Sequence, residues 1–210
     1  MLICFVGASG VGKSTILNTV LGQNSAATSS WVPGGGRVTI HPRGYIVNTR
    51  GPLYGHNVVD YPGIEDNDTE SIVVRAIKRA LRSGQPIKIV FVINNQGRIN
   101  DDLFRLPFNI LTQLPHGLCF SVILNKLPPG VMAQGDDFLT SARRVLGATS
   151  VHLIGHSAEA YADASDGQLP EYCQGVLMDF LAGAPEARIE PAEMTKMKKI
   201  RDMTEGERNT

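Results

Sequence analysis

Nothing in this chain is in excess. Lysine plus arginine equals aspartate plus glutamate, 20 of each, so no net charge drives it onto nucleic acid or a membrane surface, and neither is expected as a partner. Cysteine is scarce: Cys4, Cys119 and Cys173 stand far apart without metal-ligand spacing. Cys4 and Cys119 lie in apolar strand-like runs, where a reduced core thiol fits, and a cytosolic compartment with it. No apolar stretch approaches the roughly 20 residues of a membrane span. With the first strand-like run beginning at residue 2, no signal peptide is expected. Internal repeats are absent. At 210 residues the chain makes one ordinary domain with a short appendage, large enough for a full core.

What is present is an alternation. Short apolar runs at Leu2–Val6, Tyr45–Val47, His56–Asp60, Ile87–Ile93, Leu118–Leu124 and Val151–Ile154 are separated by helical patterns near 13–21, 68–82, 101–113, 134–146 and 171–182. Several runs are continuous Val, Ile and Phe, as in strands buried on both faces. The expected fold is a three-layer α/β/α sandwich on a mostly parallel sheet, with one antiparallel strand near 38–48. Gly22–Gly36, with three consecutive glycines around one Trp31, has the length of a functional loop, although Gly34–Gly36 also fits a plain connector. Past Pro185 the composition turns charged, with Met194, Met197, Ile200 and Met203 recurring every three residues. Residues 1–185 are the expected domain and 186–210 a charged helix or tail, solvated by default, with docking as the other reading.

One loop carries the chemistry. Residues 7–15 read GASGVGKST at the end of the first apolar run, the pattern G-x-x-x-x-G-K-[ST] at a strand-to-helix junction. A nucleotide polyphosphate is a dense anion and needs backbone donors, a cation and room for a metal. Gly7, Ser9, Gly10, Val11, Gly12, Lys13, Ser14 and Thr15 supply the curled loop and its N–H groups, reinforced by the following helix dipole. Lys13 reaches the β- and γ-phosphates, and the Ser14 hydroxyl holds Mg²⁺.

Two further strand ends point the same way. Asp60-Tyr61-Pro62-Gly63 closes the third run, where Asp60 can hold Mg²⁺ through water and Gly63 can offer its N–H to a γ-phosphate. An ordinary Pro-Gly turn is the alternative. Asn125 and Lys126 close the fifth run: an amide for a purine edge, and an aliphatic stem to lie along a base plane. His156-Ser157-Ala158 follows the last run, where a backbone N–H can meet a base carbonyl.

In these motifs, over about residues 2 to 160, the chain resembles the G domains of translation-factor-class GTPases. GASGVGKS is similar to their first motif, Asp60-Tyr61-Pro62-Gly63 to DxxG, Asn125-Lys126 to the start of NKxD, and Ser157-Ala158 to the SA motif. The resemblance implies a P-loop G domain that binds GTP or GDP with Mg²⁺. It also implies that Thr39, 21 residues before Asp60, completes metal coordination as the switch I threonine; Thr28 is a less well-spaced rival. Gly97, Arg98, Asp101 and Asp102 resemble the extra box of the AIG1/GIMAP group of septin-like GTPases, with Ile99 and Asn100 departing from it. That group implies pairing or oligomerisation through the G domain. Arg98 then becomes a candidate catalytic finger in trans, against its plainer reading as a surface cation beside Asp101 or Asp102; Arg37, Arg43 and Arg50 are less favoured candidates.

Two positions break the pattern. Pro128 stands where NKxD places the carboxylate that reads guanine, and Asp136 or Asp137 could replace it only by folding back. Ile64 follows Gly63 where a water-orienting glutamine would stand, and an isoleucine cannot align a nucleophile by hydrogen bonding. Glu65 and Asp66 next to it are expected to face solvent. The favoured expectation is a GTP-binding switch with slow, assembly-assisted hydrolysis, in which Lys13, Thr39 and Arg98 carry catalysis. A nucleotide-bound scaffold with negligible hydrolysis is the rival. A P-loop kinase or ATPase fits less well, because it leaves Asn125-Lys126 unexplained.

Overall fold

Six strands form one sheet in the computed structural model, which describes residues 1–26, 42–94, 102–127, 139–140, 143–144, 150–155 and 167–189. In chain order the elements are β1 (Leu2–Val6), α1 (Lys13–Leu21), β2 (Arg43–Ile46), β3 (Asn57–Asp60), α2 (Asn67–Arg82), β4 (Ile87–Asn94), α3 (Asp102–Thr112), β5 (Ser121–Leu127), β6 (Ser150–Gly155) and α4 (Glu171–Gly183). The strand order is β2-β3-β1-β4-β5-β6, with β2 antiparallel to β3 and every other pairing parallel. The sandwich with one antiparallel strand expected from the sequence is the architecture observed. Of the helix expected over 134–146, residues 139–140 and 143–144 are described and are helical. No helix among the described residues is long and apolar enough to cross a membrane.

The pleat of the buried runs builds the layers. In β4, Ile87, Ile89, Phe91 and Ile93 turn to one side and pack with Val73, Val74, Ile77 and Leu81 of α2 and Phe104 and Ile110 of α3. Val90 and Val92 turn to the other side, against Ile16, Leu17 and Val20 of α1 and Leu177 and Leu181 of α4. α2 begins where Asp66 and Thr69 satisfy each other's backbone N–H groups in a capping box. α4 ends on a cation: Lys88, buried within β4, donates to the carbonyls of Leu181 at 2.9 Å and Ala182 at 2.6 Å, where the helix dipole is negative. Ala187 then pairs with Ile87, its N–H 2.8 Å from the Ile87 carbonyl.

β5 differs from its expected span. The apolar run begins at Leu118, yet Leu118, Cys119 and Phe120 precede the strand, and the strand extends instead through Asn125, Lys126 and Leu127. Pairing decides this: Asn94 of β4 faces Asn125, and Leu127 faces Gly155 of β6 across an irregularity after Leu124. The polar pair is thereby carried to the carboxyl edge of the sheet, beside the loop that follows β1.

Candidate nucleotide-binding site

The loop between β1 and α1 is held from both sides. Gly12 caps α1 with φ of 95°, a conformation that L side chains rarely adopt, and a Cβ there would lie 2.4 Å from Asn125 Nδ2. A glycine cap has no side chain to accept from the first turn, so the N–H groups of Lys13, Ser14 and Thr15 stay available to phosphate oxygens. Lys13 is buried, and its Nζ donates to the carbonyls of Gly7 at 3.1 Å and Ala8 at 2.9 Å. Burial brings its ammonium down to about 8, against the opposing pull of the Asp60 and Glu65 carboxylates.

On one side stands the end of β3. Phe5 and Asp60 are register partners, so the buried Asp60 carboxylate reaches the start of α1, where Ser14 Oγ donates to its Oδ2 at 2.8 Å. The chain then runs alongside the loop: Tyr61 N–H meets the Phe5 carbonyl at 3.4 Å and Ile64 N–H meets the Gly7 carbonyl at 3.2 Å. Gly63 lies directly on Ser9, where a Cβ would come within 2.7 Å of the Ser9 Cα and 2.9 Å of its nitrogen. Only glycine permits that approach. Ile64 is buried in the core with Cys4, Val6 and Tyr61, while Glu65 and Asp66 are exposed as expected. Cys4 Sγ and Tyr61 Oη lie 3.7 Å apart, and burial pushes the thiol up to about 12, so it stays protonated.

On the other side stands the end of β5. Asn125 Nδ2 donates to the Val11 carbonyl at 2.8 Å, and its Oδ1 accepts from Lys126 N–H at 2.9 Å. Lys126 adopts φ of 57°, unusual for a side-chain-bearing residue, and its Nζ donates to the Gly10 carbonyl at 3.1 Å. Burial lowers its pKa. Asn125 and Lys126 thus grip the same loop that Lys13, Ser14 and Asp60 line.

The described structure therefore assembles Gly7, Ser9, Gly10, Val11, Gly12, Lys13, Ser14, Thr15, Asp60, Gly63, Asn125 and Lys126 at one edge of the sheet. Thr28, Thr39, Arg98, Pro128, Asp136, Asp137, Ser157 and Ala158 lie outside the described residues. β6 ends at Gly155, two residues before Ser157. For Mg²⁺ the donors fit: a hydroxyl and a carboxylate oxygen already adjacent, the hard ligands this ion takes in small number beside phosphate oxygens. Asn18, the buried amide of α1, was not singled out by the sequence. Its signal is the polar pair Asn18-Thr19 set between the apolar Leu17 and Val20, both buried in the helix.

The family model described as 50S ribosome-binding GTPase matches residues 2–126. No curated protein matches the chain. Among solved structures, a variant of Era from Aquifex aeolicus bound to GDP and aluminium fluoride is 20% identical with a TM-score of 0.50, over 81% of this chain and 57% of that one. The bacterial selenocysteine-specific elongation factor EF-Sec is 13% identical with a TM-score of 0.51, over 88% of this chain and 29% of that one. At such identities these likenesses show the fold. A further Era structure, 19% identical with a TM-score of 0.49 over the same shares as the first, holds MgGDPNP and a stretch of 16S ribosomal RNA. The chain spans 57% of the length of the Era chains it matches.

Proposed function

The chain belongs to the 50S ribosome-binding GTPase family, whose members are GTP-binding domains, and from that premise we propose that it is a nucleotide-dependent switch that hydrolyses GTP slowly until a second copy assists. The observation that carries this reading is the convergence of Lys13, Ser14, Asp60, Gly63 and Asn125-Lys126 on one loop. The loop N–H groups and Lys13 bind the phosphates and offset the charge that develops as the γ-phosphoryl leaves. Ser14 and Asp60, with Thr39, hold Mg²⁺, which supplies further neutralisation of that charge when bound. Gly63 and Thr39 sense the γ-phosphate. Asn125 and Lys126 orient the base, and a backbone N–H of the Ser157-Ala158 motif is proposed to meet its carbonyl.

Slow turnover is supported by Ile64. The residue after Gly63 is packed in the core with Cys4 and Tyr61, so it presents no group to a water at the γ-phosphate. The AIG1-like box supplies the missing group in this proposal: Arg98 of one copy acts on the nucleotide of another. Phosphate release measured across a protein concentration series tests it. The rate per protomer should rise with concentration, and Arg98→Ala should remove the rise. The buried Ile64 equally favours a nucleotide-bound scaffold, and no turnover at any concentration would select that reading.

A further inference from the structure

Net neutrality belongs to the whole chain, and one helix departs from it. Between Ser71 and Asn100 stand six lysine and arginine residues and no aspartate or glutamate. Four of the six, Arg75, Lys78, Arg79 and Arg82, belong to α2. At the pitch of an α-helix they fall within an arc of ~100°. The core residues Val73, Ile77 and Leu81 lie on the opposite side of the helix. Arg75, Arg79 and Arg82 are exposed, and Lys78 is partly so.

The fold does not account for the whole stripe. A helix C-terminus favours cations in its last turn, which explains Arg79 and Arg82 but neither Arg75 nor Lys78. A solvated helix face ordinarily sets acids three or four residues from its bases. Here the bases face one another. Arg75 and Arg79 stand four apart, as do Lys78 and Arg82, and each of these pairs repels along the helix surface. Among the described residues none of the four has a carboxylate partner; Arg75 Nε donates to a backbone carbonyl, that of Ser71, at 3.1 Å. Like charges so placed repel until an anion lies along them.

We propose that this face of α2 binds the sugar–phosphate backbone of a nucleic acid without reading its bases. The four cations extend over ~10 Å of helix, a length that suits a chain of phosphates better than a single one. Three are arginines, whose planar guanidinium can donate two parallel bonds to one phosphate. α2 carries no exposed large hydrophobic residue, so the face has nothing to stack on a base or to enter a bilayer. With no net charge to steer a partner from a distance, binding here is short in range and sensitive to salt. The surface is separate from the nucleotide site. α2 runs away from Gly63 toward Pro86, whose carbonyl accepts from Leu2 N–H at the amino edge of the sheet. The inference therefore stands whatever the loop after β1 binds.

The test is fluorescence anisotropy of a labelled oligouridylate of about 20 nucleotides without terminal phosphates, titrated with the full chain from about 50 to about 200 mM salt. Four phosphate contacts on a single strand predict that this rise in salt weakens binding about fiftyfold. The double variant Arg75→Gln, Arg79→Gln removes two contacts while keeping good helix formers, and should cut the salt effect to about sevenfold. Arg50→Gln serves as the control. Arg50 is exposed beside Gly51, which abuts Met178 of α4 on the other face of the sheet, and its loss should leave binding unchanged. Equal weakening by Arg50→Gln overturns the proposal, because the cations of α2 would then count for no more than any other. Displacement of the oligonucleotide by polyglutamate as readily as by unlabelled oligouridylate overturns it in favour of an acidic protein. Absence of oligonucleotide binding at the lowest salt also overturns it, and sedimentation with phosphatidylserine vesicles would then assign the face to a membrane.

Discussion

Lys13 makes the site sensitive to pH in a way that depends on its partner. With the free ammonium near 8, the lysine is charged below that pH and meets phosphate without taking up a proton. Above it, binding must first restore the charge, so affinity should fall about tenfold per pH unit until the pKa of the complex is reached. Calorimetry at pH 9 in buffers of different ionisation enthalpy should report uptake of about one proton per nucleotide; no uptake would contradict the burial of Lys13. The nucleotide-free fold responds oppositely. Its lysine gives up a proton that the unfolded chain keeps, so stability rises between about pH 8 and 10.5. Gly63 tests the neighbouring contact. A Cβ at that position meets backbone atoms of Ser9, which cannot swing aside, so Gly63→Ala must lift the segment off the loop. Affinity for a GTP analogue relative to GDP should fall about tenfold, as for loss of one hydrogen bond to a charged group. An unchanged ratio would remove Gly63 from γ-phosphate sensing.

The elements were legible to different degrees, and the differences have causes. β1, β4 and α1 stand where the apolar runs and the loop pattern place them, because each is buried on both faces or bounded by glycine. The limits of β5 depend on what its neighbours offer, and neighbours are invisible in a run of residues: Leu118–Phe120 are apolar yet lie outside the strand, while Asn125 and Lys126 are polar yet lie inside it. Lys88 and Asn18 were illegible for the same reason, since their partners Leu181, Ala182, Ala26 and Gly167 lie far along the chain. α2 shows the contrary case, a local signal that suffices. Its capping box joins Asp66 and Thr69, three residues apart, and Asp66→Ala should cost about 1 kcal/mol. For a chain of this size that corresponds to a fall of about 3 °C in melting temperature. A smaller change would mean that Thr69 and the packing of Val73 and Val74 hold the helix start without the cap.

At the scale of the molecule, the sheet order explains why motifs spread over 120 residues of sequence converge. β1 is central, β3 and β4 flank it, and β5 follows, so their carboxyl ends deliver Asp60, the loop and Asn125-Lys126 to one edge. The half of the site that the sequence assigns to Thr39, Arg98, Ser157 and Ala158 lies outside the described residues, and so does Pro128, where base choice should be decided. Base choice is therefore the sharpest measure of the central claim, that this edge is a guanine-nucleotide site. The measurement is a paired calorimetric titration of nucleotide-free protein with non-hydrolysable GTP and ATP analogues in the presence of Mg²⁺. A preference for the guanine nucleotide of about a hundredfold is the predicted result, and it would mean that another group does the work of the carboxylate that Pro128 replaces. Equal affinity, or tighter binding of the adenine nucleotide, would contradict it and leave a P-loop domain that holds phosphate without reading guanine.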